Sequence, residues 1–578
     1  MDEIKITGMW KVGNKEFKGD LYIIKKKKVI RLILNVDLVN GIFQEDVIPD
    51  KNDIITGKSF IDNTNITLIS CSSRRKNTMI SYGKIVYIID CKYCIYGLQF
   101  EKIDKVKFNQ IQIRLTNSIG WSSLNGFTTK GKKFDENIEY KFKKKIEYDI
   151  NRDMKLEVIP LYGRDMLKLN SEKIVLKQHV VFSVVSKRLK KMNDILEELK
   201  KVIALIEFCV REKIEIVEIN GFCNNRNYKI PGKKKKILIK YRIYYANEVE
   251  LDEVYNDFTK IDDYLICDLE QILKVDGLSK WFEKYDDLKS IIDIYRKNIR
   301  NFANYEDMPE DFFVNWVKAL EFYHTRFVAN SKNDFNNVIE KDLEKLPLEK
   351  DVICNFVNDD IQDNLDYVIL RNRLVSLMIK RQIKSYFNNI CEILNFVNSV
   401  VDTRHYYTHY NAKKKYKAMR DVELDISNAI LQTLLESFIL MELGFDSRFI
   451  DKYEDDSLKL FKRYELPSSE EKNVLTYKKV GLVTSIENVL RIIVKQLNLG
   501  KYLGYHIKKV DKDDDIYVEV LVDKSINLLV RILANNKSEE ECEKIIKKDK
   551  AKLLIKTKKP FEVYYFYSKC KILIYSNK

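Results

Sequence analysis

ISNAILQTLLESFILMELGF, residues 426–445, decides what kind of fold this chain has. Its length matches a bilayer span, which needs about 20 apolar residues. Yet Gln432, Glu436 and Glu442 interrupt it, and no apolar run in the chain reaches the roughly 18 residues of a span. Leu, Ile and Phe recur at helical spacing, and Gly444 stands just past the end, where a C-terminal cap belongs. The stretch reads as the last long helix of a helical block.

Upstream, that block extends back to about residue 269. Helical patterns cover 278–300, 310–330, 366–400, 404–420 and 425–443. Between them SKNDFNNVIEKDLEKLPLEKD, 331–351, is polar and reads as loop. Before the block the pattern is different. VIRLILNV, NITLISC, KIVYIID, KFNQIQIRL, EVIPLY and HVVFSVVS are short β-branched or aromatic runs with polar or glycine-bearing links, the mark of a sandwich or barrel. Ser186–Val210 switches to helical period through Leu196, Leu199, Ile203, Leu205 and Ile206, and strands resume to Tyr245. After residue 460 come one helix, Ile486–Leu497, and strands IYVEVLV, AKLLIKT, FEVYYFY and KILIY. The fold class is therefore α+β and multidomain: a mostly-β region over 1–265, an all-α bundle over 266–458 and a mixed α/β extension over 459–578.

The chain's 578 residues are enough for three or four domains. Its composition, 45% apolar and 33% charged, excludes collagen-like, mucin-like and largely disordered proteins. The start, MDEIKITGMWKV, lacks the basic-then-apolar layout of a secretory signal, so a cytoplasmic location is expected. Ten cysteines are scattered. Cys91 and Cys94 alone have CxxC spacing, without the second pair a zinc site needs, so reduced thiols and no metal are expected. The net charge of +16 favours a polyanionic partner, nucleic acid above all, although basic runs such as Lys25–Lys28 and Lys233–Lys236 also suit solvated turns. The charge is uneven: about +14 over 1–300, about −5 over 301–450 and about +7 beyond.

The five histidines are His179, His324, His405, His409 and His506. Two fall in VDTRHYYTHYNAKKKYK, 401–417, beside Arg404 and just before Lys413, Lys414 and Lys415. These residue types suit RNA cleavage without metal. Histidine titrates near neutral pH and so exchanges protons, while arginine grips phosphate oxygens bidentately. On one helix His405 and His409 share a face, but Arg404 and His409, five apart, diverge by roughly 140°. Either Arg404 sits in a frayed first turn capped by Asp402 or Thr403, or a second subunit completes the site.

RHYYTH resembles the R-φ-x-x-x-H signature of HEPN ribonucleases, in which φ is Asn, Asp or His. The wider layout resembles the ApeA-like HEPN proteins of bacterial antiphage defence. WVKALEFYHTRF, with Glu321 and His324, matches an early-helix alE-x-x-H pattern. A basic helix with Arg371 and Arg373 follows, and LLESFILMELGF closes the domain. Near the start, ITGMW, FKGDLYI, NITLISC and YGLQF…KVKFNQIQIRLTNSIGWSSLNGF occur in the family's order. The resemblance covers residues 1 to about 455. It implies a catalytic pair, Arg404 and His409, with His405 in the φ position and Glu321 as a supporting polar partner. It further implies a homodimer or higher homo-oligomer with a composite site, RNA as substrate and a phage-derived trigger; no membrane association and no cofactor are expected. RNA contacts are expected from Lys413, Lys414 and Lys415.

Two further signals carry less. GFTTKGKK, 126–133, nearly matches a phosphate-binding loop, but Lys133 stands where Ser or Thr should bind magnesium, so a charged hairpin is expected. Asp513, Asp515 and Glu519 lack calcium-loop spacing. They leave a metal-dependent nuclease as one rival reading, and a catalytically silent HEPN binding module is the other.

Overall fold

The computed structural model describes residues 3–37, 48–76, 84–132, 135–164, 176–224, 227–229, 236–246, 265–304, 308–329, 331–344, 346, 350–358, 368–381, 386–387, 389–409, 418–464, 502–510, 516–522, 528–534, 561–567 and 570–574. The chain divides into two compact units, Met1–Phe282 and Glu283–Lys578.

The first unit opens with six antiparallel strands: β1 (Glu3–Val12), β2 (Lys15–Ile24), β3 (Val29–Asp37), β4 (Lys51–Ser59), β5 (Asn65–Lys76) and β6 (Lys84–Tyr96). They pair in the order β6-β3-β2-β1-β4-β5, and β5 pairs back onto β6, closing a barrel. Closure leaves these strands no free edge. Alternation along β1 turns Ile6, Trp10 and Val12 inward and Lys5, Thr7 and Lys11 outward. Trp10 is fully buried and donates from Nε1 to the Gly19 carbonyl at 3.1 Å. Gly57 faces its ring so closely that a Cβ there would lie 2.2 Å from it. The interior is thus packed by side chains. Cys71, Cys91 and Cys94 belong to this core, with Cys91 opposite Cys71, and burial pushes the Cys91 and Cys94 thiols well up.

β6 stays paired with β5 as far as Tyr96, and on its other side it passes from the barrel to a second sheet. Its first half pairs with β3 and its last residues, Tyr93–Tyr96, with a later strand. The elements that follow are β7 (Lys107–Leu115), α1 (Ser118–Ser122), β8 (Phe127–Lys132), β9 (Asp135–Tyr140), β10 (Ile146–Asp149), β11 (Met154–Arg164), β12 (Leu176–Lys191), α2 (Met192–Val210), β13 (Ile216–Phe222), β14 (Asn227–Lys229), β15 (Lys236–Leu238), β16 (Tyr241–Tyr245) and α3 (Leu269–Lys274). An open sheet, β10-β11-β12-β7-β13-β16-β6, grows from the barrel strand, and α2 packs its apolar face on β12 and β7. GFTTKGKK runs along the separate β8–β9 hairpin. The helix expected from Ser186 begins only at Met192. Lys190 and Lys191 resume pairing with Phe108 and Lys107 after a bulge, and the Met192 N–H donates to Val106, so the strand outlasts its apolar run.

The helical elements are α4 (Gly277–Asn304), α5 (Pro309–Tyr323), a π-helical turn (His324–Val328), α6 (Lys332–Leu343), α7 (Lys350–Asn358), α8 (Leu370–Arg381), α9 (Ile390–His409), α10 (Asp421–Leu443) and α11 (Ser447–Tyr464). α10 carries the stretch quoted first. Gly444 caps it at φ +91°. Glu436 is fully buried and accepts from Tyr295 Oη at 2.6 Å, from Gln432 Nε2 at 3.0 Å and from Tyr453 Oη. Those donors explain a carboxylate inside an apolar helix. Among the described residues Glu423–Leu443 is the segment long and apolar enough to cross a membrane, and 67% of its window is buried among its neighbours. The stretch 331–351, expected as loop, forms α6 and the start of α7. Ser331 and Asp334 make a capping box, and Phe335, Ile339 and Leu343 recur every four residues on the buried face.

A five-stranded antiparallel sheet follows: β17 (Tyr502–Val510), β18 (Ile516–Val522), β19 (Leu528–Ala534), β20 (Phe561–Tyr567) and β21 (Cys570–Ile574), in the order β17-β18-β19-β21-β20. The expected helix Ile486–Leu497, strand 551–557 and the acids Asp513 and Asp515 lie outside the described residues, and Glu519 is described only as part of β18.

Candidate active site

α9 buries Ile393, Phe396, Val397, Val400 and Thr403, a stripe with helical period. The motif continues this helix. Arg404 lies five residues before its C-terminal end, so the expected new helix with a frayed first turn at Arg404 is not found. Asp402 and Thr403 look like N-cap residues by type, but Thr403 is fully buried on the stripe. Its Oγ1 accepts from the Met419 N–H at 2.9 Å, while Tyr407 Oη donates to the Met419 carbonyl at 3.1 Å. Together they pin both sides of the Met419 backbone to α9. Arg420 lies over the Tyr406 ring at 5.9 Å.

Arg404 stands at the edge of the buried stripe and reaches α5, where its Nη2 is 3.6 Å from Glu321 Oε2. Both side chains are about one-third exposed, at 33% and 30%, which leaves the outward side of the guanidinium to solvent. His405 and His409 lie on the same face, ring centroids 5.0 Å apart, and His409 is exposed. The structure thus joins Arg404 to Glu321, and His405 to His409. No hydrogen bond joins Arg404 to His409 on the straight helix. Lys413, Lys414 and Lys415 lie outside the described residues.

A second layer supports Glu321. Thr325, in the π-turn, donates from Oγ1 to the Glu321 carbonyl at 2.9 Å and accepts from Arg373 Nη1. Arg373 is buried on α8 and also donates from Nε to the Val368 carbonyl at 2.8 Å. Burial lowers the Arg373 pKa and the negative charge of Glu321 opposes that shift, so Glu321 faces two guanidinium groups. Arg371 donates to Asn398 Oδ1 of α9 at 3.0 Å and stacks over Phe356 at 4.5 Å. The two α8 arginines were visible in the sequence. Their division of labour, one towards the π-turn after α5 and one towards α9, was not, because it depends on how the helices pack.

His324 begins the π-turn and is fully buried, and among the described residues neither ring nitrogen lies within hydrogen-bond geometry of a partner. Burial pushes its pKa down to about 3, helped by the charge of Arg373 and, less, of Lys380. It is a neutral core ring that packs near Phe335, at 6.0 Å between centroids.

Two family models match the chain. ApeA N-terminal domain 1 matches residues 5–261, and the Apea-like HEPN model matches residues 314–449. The first spans the barrel and the sheet that grows from it; the second spans Glu321 through the RHYYTH motif and α10. Neither the curated proteins nor the solved structures include a match.

Proposed function

Because the chain belongs to the ApeA-like HEPN proteins, we propose that it is an antiphage endoribonuclease that cleaves RNA without a metal through Arg404 and His409. The observation that carries this reading is that the last turns of α9 bear both a guanidinium held by Glu321 and an exposed histidine. In the proposed step the ribose 2′-oxygen attacks the adjacent phosphorus while a histidine takes its proton. The 5′-oxygen leaves with a proton returned by an acid. The products are a 2′,3′-cyclic phosphate and a 5′-hydroxyl. Arg404 neutralises the charge that builds on the phosphate oxygens. Glu321 holds one side of the guanidinium and leaves other N–H groups for phosphate. His405 orients the site or binds phosphate.

The divergence of Arg404 and His409 on one helix supports a homodimer in which each motif completes the other. Cleavage of host or phage RNA, transfer RNA among the candidates, after a phage-derived signal and in the cytoplasm, completes the proposal. Exposed loops fit because unpaired bases can be splayed into a site. The N-terminal region would sense the signal, and residues 459–578 would form an extension of the nuclease domain.

RNA-end sequencing of cells carrying wild type or His409→Ala, with and without phage, tests this. New ends in infected wild-type cells only are expected, with the variant losing about 10²- to 10⁴-fold in rate while keeping its thermal unfolding profile. Equal protection by both versions, without new ends, would assign the protein to binding. Cleavage abolished by chelator would move the chemistry to a metal centre.

A further inference from the structure

The β8–β9 hairpin carries an aromatic cluster that the nuclease reading does not use. Tyr140 at the end of β9 stacks on Tyr162 of β11, 4.3 Å between centroids and 26° between planes. Phe127 packs on Tyr140 at 4.9 Å. Phe142 stands edge-on to Tyr140 at 5.1 Å and to Tyr162 at 6.0 Å. The base is fixed: Gly126 lies under Tyr140, where a Cβ would meet the ring at 2.5 Å. Gln178 accepts from the Gly126 N–H at 3.0 Å and donates to Asn125 Oδ1 at 2.6 Å.

A two-stranded hairpin outside the main sheet needs some apolar support, and Phe127, Tyr140 and Tyr162 supply it. Phe142 lies beyond that need, at 80% exposure. Its surroundings are basic. Lys141, Lys143 and Lys144 bracket it, all exposed. Lys274, paired with Glu270 at 2.8 Å, draws down the pKa of that carboxyl, and Lys143 adds to the pull. The nearby acids are already matched: Glu139 by Lys130 at 2.9 Å, and Glu147 and Glu157 by Lys145 and Lys155.

We propose that this hairpin is a stacking platform for single-stranded nucleic acid, with a base on Phe142 and the neighbouring phosphates on Lys141, Lys143 and Lys144. Exposed rings interleaved with cations match what a single strand presents, π-faces joined by negative charges. A duplex hides its base faces and fits less well. An acidic protein would satisfy the lysines but gives no reason for rings held edge and face. The proposal stands on the first unit alone and is independent of cleavage at Arg404 and His409.

The test is a fluorescence-anisotropy titration of the full chain with labelled oligothymidylate, which lacks the 2′-hydroxyl and so escapes the proposed nuclease. Single strand should bind more tightly than a DNA duplex of equal length. Phe142→Ala should weaken it about ten-fold or more, in line with the loss of one stacked base. Ile61→Ala, at an equally exposed apolar residue elsewhere on the same unit, should not. The double change Lys143→Gln and Lys144→Gln should flatten the dependence of log affinity on log salt by roughly 1.4, about 0.7 for each lost phosphate contact. Circular dichroism checks that each variant folds. Unchanged binding by Phe142→Ala, or equal affinity for single strand and duplex, overturns the proposal. So does a Phe142→Ala defect in the phage response with oligonucleotide binding intact, which would make the cluster a protein-docking surface.

Discussion

The barrel and the helical bundle bury different things. Inside β1–β6 the core is Trp10, Leu21, Leu32, Ile55, Leu68 and their like, with thiols as its most reactive members. The helices bury His324, Arg373, Glu436 and Glu454. Burying an ionisable group is unfavourable unless partners compensate. Most of these have them: Tyr295, Tyr453 and Gln432 for Glu436, Arg381 at 2.9 Å for Glu454, and Thr325 and the Val368 carbonyl for Arg373. His324 has no side-chain partner among the described residues, and burial keeps it neutral. The barrel is built to be stable, whereas the helices carry polar cores that hold side chains at set angles, as a site requires.

Four substitutions test that contrast. The largest effect is expected at Arg404→Lys, where an ammonium cannot replace the guanidinium fork. RNA cleavage should fall about 10²- to 10³-fold with the unfolding midpoint unchanged, and near-wild-type cleavage would remove Arg404 from the phosphate site. Gly57→Ala drives a methyl into the Trp10 ring and should destabilise the barrel by about 3 kcal/mol, read as faster amide hydrogen exchange in β1 and β4. Unaltered exchange would mean that the barrel core yields more than its packing suggests.

Next comes His324. With a folded pKa of about 3 against an ordinary 6.5, the unfolded chain binds more protons between those values, so stability falls as pH drops through that window. At pH 5 the loss is about 2 kcal/mol. His324→Phe should therefore shrink the difference in unfolding free energy between pH 7.5 and pH 5, read by denaturant titration, by that amount, and an identical difference would show that the ring is charged or solvated. Smallest is Glu321→Gln. A part-exposed ion pair at 3.6 Å contributes under about 1 kcal/mol to stability, so the midpoint should hardly move while cleavage drops several-fold as Arg404 loses its anchor. An unchanged rate would leave Glu321 as a surface residue.

Much of the architecture was legible because burial leaves period in sequence. The strand runs, the long helix ending at Gly444 and the charged hairpin all follow from alternation, helical spacing and turn residues. Barrel closure was not, since the β5–β6 pairing is made by backbone hydrogen bonds that no residue type announces. α6 was hidden by its polar composition, and only the Ser331 cap and three apolar residues betray it. The start of the motif helix was misread because Asp402 and Thr403 have the chemistry of caps, while the stripe from Ile393 to Thr403 runs straight through them. Arg404, His405 and His409 stood out by residue type, and Glu321 came through family resemblance. Thr325, Met419 and the orientation of Arg373 emerged only from packing.

β6 is held by β5 as far as Tyr96; on its other side its first half pairs with β3 of the barrel and its last four residues with β16 of the open sheet. As a matter of inheritance, this makes the N-terminal region indivisible. A gene fusion cut just after Tyr96 would leave the second sheet without its terminal partner and expose β16 as a raw edge, which invites aggregation. Recombination can therefore exchange this region only whole.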